Sequence, residues 1–183
     1  MIGKAIIISA PSGSGKTTIV RHLLKVNPLL QFSISATTRK PRPLEVDGKD
    51  YYFLTAKDFL TKEFVEKEEV YEGFFYGTLK SEIERIWQNG RVVLFDVDVQ
   101  GGVNLKEYFG DKALSIFIKV DSPEVIKERL IKRNTESTED LKKRIDKASY
   151  EMSFEKDFDI VILNQNLDIA QKDAENAINK FIG

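Results

Sequence analysis

Apolar residues along this chain follow two spacings. Unbroken runs such as Ala5-Ile6-Ile7-Ile8 and Val92-Val93-Leu94-Phe95 read as strands covered on both faces, because a half-exposed strand would alternate. The stretches between them place apolar residues three and four apart, as a helix with one buried face does. The pattern predicts core strands over Lys4–Ala10, Gln31–Ala36, Arg91–Val97, Leu114–Val120 and Ile160–Leu163. It predicts helices over Lys16–Val26, Leu79–Asn89, Val103–Phe109, Thr138–Phe154 and Leu167–Phe181, and another from Ser122 to about Lys132. Local signals set the ends: Asn27-Pro28 stops the first helix, Gly90 stops the one before it, and Ser122-Pro123-Glu124 supplies a cap, a first-turn proline and an early acid.

Between about 36 and 78 the alternation lapses. Residues 39–49 are loop-like, Tyr51–Leu54, Phe64–Tyr71 and Phe74–Tyr76 are β-like, and Thr55-Ala56-Lys57-Asp58 has the spacing that opens a short helix. The expectation is an α/β domain. Its core, 1–35 and 79–183, holds a parallel five-stranded sheet with helices on both faces, and 36–78 forms a partly antiparallel insertion.

Composition narrows the function. A chain of 183 residues suits one domain, and 42% hydrophobic with 31% charged residues suits a globular core. A net charge of −1 argues against a general nucleic-acid binder, which needs a basic surface. With no cysteine there is no disulfide, thiolate nucleophile or cysteine-ligated zinc, and the lone histidine, His22, excludes a histidine-rich metal site. No apolar run approaches the roughly 20 residues of a membrane span. Met1 leads almost directly into the first apolar run without a signal-like stretch, so the expectation is a cytoplasmic protein.

The chemistry begins where the first strand ends. Ala10-Pro11-Ser12-Gly13-Ser14-Gly15-Lys16-Thr17, followed by Thr18, fits a P-loop with alanine in the first glycine position. Gly13 and Gly15 let the backbone wrap an anion with its N–H groups turned inward, and the helix that follows adds its positive end. Lys16 should reach the β- and γ-phosphates of a nucleoside triphosphate, and the Thr17 hydroxyl should ligand Mg²⁺. Asp96 closes the apolar strand in Asp96-Val97-Asp98-Val99-Gln100-Gly101-Gly102, at the mouth of the sheet, where it can organise Mg²⁺ through water. The motif alone leaves GTPase, ATPase and kinase open. No Asn-Lys-x-Asp segment, which a GTPase uses to read guanine, is present.

A second anion-binding cluster lies in the insertion. Arg39 and Arg42, separated by Lys40-Pro41, suit a bidentate grip on phosphate, and Tyr51 and Tyr76 can add hydroxyl donors. The acids Glu45, Glu66 and Asp98 would be out of place around phosphate alone. They fit a ligand whose far end carries donors, as guanine does with N1–H and N2–H₂. Adenine would turn a lone pair toward such a carboxylate, a mismatch worth on the order of 10³-fold or more in discrimination.

At this point the chain resembles the guanylate kinases. The resemblance runs through APSGSGKTT, SISATTRKPRPLEVDGKDYYF, EFVEKEEVYEGFFYGT, VVLFDVDVQGG, RLIKRNTES and VILNQNLD, in that order and over nearly the whole length. It implies a P-loop nucleoside monophosphate kinase fold with a GMP-binding insertion and a lid, here about 133–146. It implies transfer of the γ-phosphoryl group of ATP to GMP, with Mg²⁺. By position, Ser35, Glu66, Thr78 and Asp98 would contact guanine, and Arg39, Arg42, Tyr51 and Tyr76 would bind the GMP phosphate, with Glu45 supporting the arginines. Arg133 and Arg144 resemble the lid-side arginines that meet the ATP phosphates, and Asn164 resembles the residue next to adenine.

The chain departs from the family pattern in places. Ala10 replaces a glycine, Asn134 stands where a glycine usually follows the lid arginine, and the stretch from Phe59 to Glu66 is roughly one helical turn short. The shortening leaves Glu69 as a rival to Glu66 for reading guanine. A kinase for another small phosphorylated acceptor and a non-catalytic module of similar fold are the alternative functions. The expected mechanism is in-line transfer without a covalent enzyme intermediate, by positioning and charge neutralisation at Lys16, Arg39, Arg42, Arg133 and Arg144. Since the attacking phosphate oxygen is already anionic, no general base is required, and His22 is a packing or surface residue.

Overall fold

A computed structural model of the protein describes residues 3–11, 13–71, 73–122, 124–126 and 147–183. Its centre is a parallel sheet of five strands: β1 (Ala5–Ser9), β2 (Leu30–Phe32), β7 (Val92–Val97), β8 (Ala113–Lys119) and β9 (Ile160–Leu163), in the order β2-β7-β1-β8-β9. Pleating sends Ile6 and Ile8 to one face and Ala5 and Ile7 to the other, and all of them are fully buried. On the first face they meet Ile19, Val20 and Leu23 of α1 (Lys16–Val26) and Ala170, Ala174 and Ile178 of the last helix, Leu167–Ile182. On the second they meet Ile83 and Ile86 of α3 (Lys80–Gln88) and Leu105 and Phe109 of α4 (Val99–Phe109). The unbroken apolar runs follow from this double cover.

The insertion forms a second sheet of four strands. These are β3 (Ala36–Thr37), β4 (Tyr52–Phe53), β5 (Phe64–Tyr71) and β6 (Phe74–Leu79), in the order β4-β3-β6-β5. Its pairs are antiparallel except β3 with β4. A short helix, α2 (Ala56–Leu60), plugs its underside with Phe59, stacked 4.2 Å from Phe64. The Thr55 hydroxyl accepts from Asp58 N–H, as the capping spacing predicts.

Two boundaries differ from the sequence pattern. The single strand expected over Gln31–Ala36 is split between the sheets. The Ser33 N–H makes the last bond to the core, to the Leu94 carbonyl, whereas the Ile34 N–H turns to the Glu82 carboxylate and the Ser35 carbonyl accepts from Tyr52 N–H. The helix expected from Val103 begins at Val99, with Asp98 capping it by accepting from Gly101 N–H at 2.9 Å. Gly102 lets this helix pack closely on β1, since a Cβ there would collide with Ser9 Oγ and the Phe158 ring. Among the described residues, no helix is long and apolar enough to cross a membrane.

Candidate active site

In an open parallel sheet, ligands bind beyond the carboxyl ends of the strands, where the strand order reverses. Here that place lies past β1, which has β7 on one side and β8 on the other. The loop from β1 to α1 uses glycines where other residues would strain: Gly13 has φ 85° and Gly15 φ 93°. Gly15 has a second reason to lack a side chain, since a Cβ there would come within 2.7 Å of Asn164 Nδ2. Asn164, following β9 and only 4% exposed, donates its amide to the Ser14 carbonyl at 2.7 Å. It thereby fastens the loop to the sheet from behind.

The loop encloses a cavity of about 310 Å³ lined by Ala10, Pro11, Gly13, Ser14, Gly15, Lys16, Thr17 and Thr18, with Asp98 and Glu151 at its far side. The Lys16 ammonium reaches across to the end of β7, pairing with the Asp96 carboxylate at 2.6 Å and donating to the Val97 carbonyl. Thr17 and Thr18 are exposed at the rim.

A second cavity, of about 320 Å³, opens between the two sheets. One end is cationic and hydroxyl-bearing, with Arg39, Arg42, Tyr51 and Tyr76. Arg39 is fixed from several directions. Its Nη1 and Nη2 donate to Glu45 at 2.8 and 3.0 Å, its Nε donates to the Tyr76 hydroxyl at 3.1 Å, and its guanidinium lies over the Tyr51 ring at 5.4 Å. Glu45 also accepts from Arg42 N–H at 2.7 Å. The hydrogen bond from Arg39, helped by that backbone donor, holds the Glu45 carboxyl below its usual range. It also keeps the Arg39 charge fixed.

The other end is acidic, with Glu66, Glu68 and Asp98. Burial pushes the Glu66 carboxyl up; the Thr78 hydroxyl, donating to it at 2.8 Å, works the other way, and the Asp98 charge raises it again. Burial, then the charge and hydrogen bond of Asp98, push Glu68 up to about 7. Glu68 is a lining residue that the sequence pattern did not single out, as are Lys147 in this cavity and Glu151 in the first. Glu68 stands two positions after Glu66 on the same strand, so the pleat turns both into the cleft, a signal available once 64–71 is read as β. Glu69 points the other way, is exposed, and accepts from Gly73 N–H at 2.7 Å in the hairpin.

Most of the expected site residues thus gather around one continuous cleft: Asp98 lines both cavities, and Asp96 and Ser35 line the second. Thr78 is fully buried and meets the cleft through Glu66. Asn164 supports the P-loop and does not line the first cavity. Ser12, Arg133, Asn134 and Arg144 lie outside the described residues. His22 sits on the far flank of α1, against Glu175 of the last helix at 2.6 Å.

The chain is similar to known proteins over its whole length. The family model described as guanylate kinase matches residues 2–181. A guanylate kinase of Bacteroides thetaiotaomicron is 48% identical over 100% of this chain and 91% of its own length. One from Porphyromonas gingivalis is 48% identical over 98% of each. The crystal structure of guanylate kinase from Anaplasma phagocytophilum superposes with a TM-score of 0.76 at 29% identity, covering 100% of this chain and 88% of that one. A shikimate kinase structure from Bacteroides thetaiotaomicron, 12% identical with a TM-score of 0.53, shares the fold alone. With a P-loop facing a cleft that is basic at one end and acidic at the other, and with the family model matching residues 2–181, this chain belongs to the guanylate kinase family.

Proposed function

We propose that this chain transfers the γ-phosphoryl group of ATP to GMP, releasing ADP and GDP. The observation that carries the reading is the meeting of two cavities at Asp98: one is a P-loop cradle, and the other pairs a cationic end with an acidic end. Phosphate suits Arg39, Arg42, Tyr51 and Tyr76. The donor-bearing edge of guanine suits the Glu66 carboxylate, with Ser35, Thr78 and Asp98 as further partners. Seated this way, GMP turns its phosphate toward the triphosphate tail.

The step itself is a displacement in line. An anionic oxygen of GMP bonds to the γ-phosphorus as the bond to the bridging oxygen breaks, and that electron pair leaves with ADP. Lys16, Arg39 and Arg42 neutralise charge as it shifts, with Arg133 and Arg144 as further cations. The insertion, about 36–78, and the segment about 133–146 serve as acceptor-binding unit and lid, excluding water from the reaction.

Mg²⁺ fits the donor set. Thr17 offers a hydroxyl at the rim and Asp96 a carboxylate at the end of β7, and among the described residues no group of three or more acidic, histidine or cysteine side chains is placed to hold a metal ion. Few protein ligands are what an ion that keeps its waters and binds phosphate oxygens requires. When bound, it supplies neutralisation of phosphate charge.

Titration calorimetry of the protein with GMP and with AMP tests the acceptor assignment. Uptake of GMP that weakens in Arg39→Ala is expected. No uptake of GMP, or tighter uptake of AMP, overturns it.

A further inference from the structure

Beside the acceptor cleft lies a charged group that phosphoryl transfer leaves without a task. Glu82, in the first turn of α3, is only 3% exposed. An acid there suits the helix dipole, yet it would do so equally well from the surface, whereas a buried carboxylate needs partners. Arg85 Nε and Nη2 donate to it at 2.9 and 2.8 Å, the Tyr52 hydroxyl at 2.9 Å and Ile34 N–H at 3.3 Å. Burial pushes its carboxyl up, but these donors outweigh burial and hold it below its usual range.

Two of those partners sit next to cleft residues. Ile34 lies between Ser33, which makes the last core-sheet bond, and Ser35, which lines the cleft. Tyr52 follows Tyr51, whose ring is 5.9 Å from that of Tyr76 and under the Arg39 guanidinium. The two segments are joined by Tyr52 N–H donating to the Ser35 carbonyl at 2.9 Å. One carboxylate therefore ties to a core helix the two segments that present Ser35 and Tyr51. That helix follows directly on β6, which carries Tyr76 and Thr78.

We propose that Glu82 is a positioning residue of the acceptor cleft, bonding Ile34 and Tyr52 to α3 and so fixing Ser35 and Tyr51 at the spacing that receives GMP. This rests on the reading of that cleft as the GMP site. Glu82 does not line the cleft, and its effect passes through the two segments that it holds.

Steady-state kinetics of Glu82→Ala, Glu82→Gln and Tyr52→Phe, with a thermal melt of each, test it. Misplacing a binding group by about 1 Å costs up to roughly 10²-fold, so Glu82→Ala should raise KM for GMP about 10-fold while KM for ATP stays within about 2-fold. Glu82→Gln keeps one oxygen acceptor and puts an amide NH2 in place of the other, so it should recover only part of that loss. Tyr52→Phe should raise KM for GMP about 3-fold and add little to Glu82→Ala, because both cut one tether. A lowered melting temperature with both KM values unchanged, or an equal rise for both substrates, overturns the proposal. If Glu82→Ala does not fold, Tyr52→Phe decides by the same criterion. A wild-type protein that does not accept GMP defeats the cleft reading itself, and this proposal with it.

Discussion

Lys16 is the residue whose loss should matter most. Its ammonium bridges the P-loop to the end of β7, and a triphosphate would draw it to phosphate oxygens. Lys16→Ala is expected to cut turnover by at least about 10²–10³-fold with the melting temperature little changed; near-normal activity contradicts its role. The acidic end separates Glu66 from Glu69. Glu66→Gln should lose most GMP use while Glu69→Gln keeps it, and the reverse order of losses would reassign the guanine reader. Protonation should act like the first substitution. The Glu66 carboxyl is raised by burial, and a protonated carboxyl cannot accept from both guanine N–H groups. KM for GMP should therefore rise as pH falls, from a higher pH than an exposed glutamate would set, and part of that rise should vanish in Glu66→Gln. Identical profiles for the two proteins contradict it. Residue types were readable from the sequence here, but direction was not. Glu66 and Glu69 differ by the pleat of β5, and the short stretch before it obscured the register.

At the scale of elements, continuous apolar runs gave β1, β7 and β8 to within a residue, because a doubly covered strand has no polar side to blur its ends. The failures occurred where distant groups decide. Residues 33–35 continue the apolar pattern of β2, yet the chain leaves the core there because Glu82 and Tyr52 take its backbone groups. The start of α4 was hidden by Gly101-Gly102, a pair of weak helix formers, of which Gly102 serves as a close contact with β1. A comparable long-range tie holds β8 to the turn before β9. Asp159 accepts from Ser115 N–H at 2.8 Å and Ser115 Oγ at 3.0 Å, and pairs with Lys106 at 2.8 Å. Burial raises its carboxyl, but the Lys106 and Ser115 donors overcome this and leave it below the ordinary aspartate range. A depressed carboxyl stabilises the fold above the unfolded-state pKa, and that contribution disappears as pH falls through the folded-state value. Asp159→Asn should thus lower the melting temperature at pH 7 and make little difference below the folded-state pKa. An equal deficit at both pH values would mean that packing, not ionisation, carries the effect.

For the whole molecule, the central feature is two cavities of nearly equal volume that meet at Asp98. The P-loop was plain in the sequence because its glycines, lysine and threonine are contiguous. The acceptor cleft was legible only in part, because it draws on residues that flank β3 and β4, on β5, β6 and the end of β7, and on the loop carrying Arg42. Glu68 could have been placed among its walls from the two-residue period of 64–71, whereas Lys147 is brought there only by the fold. Joint occupancy of the cavities is what the account requires, and release of ADP reports it directly. The decisive measurement is ADP release from ATP and Mg²⁺ with GMP, AMP, CMP, UMP or a sugar phosphate supplied in turn. Rapid release with GMP and little with any other acceptor is expected. Equal release without an acceptor, or a preference for one of the others, would contradict it.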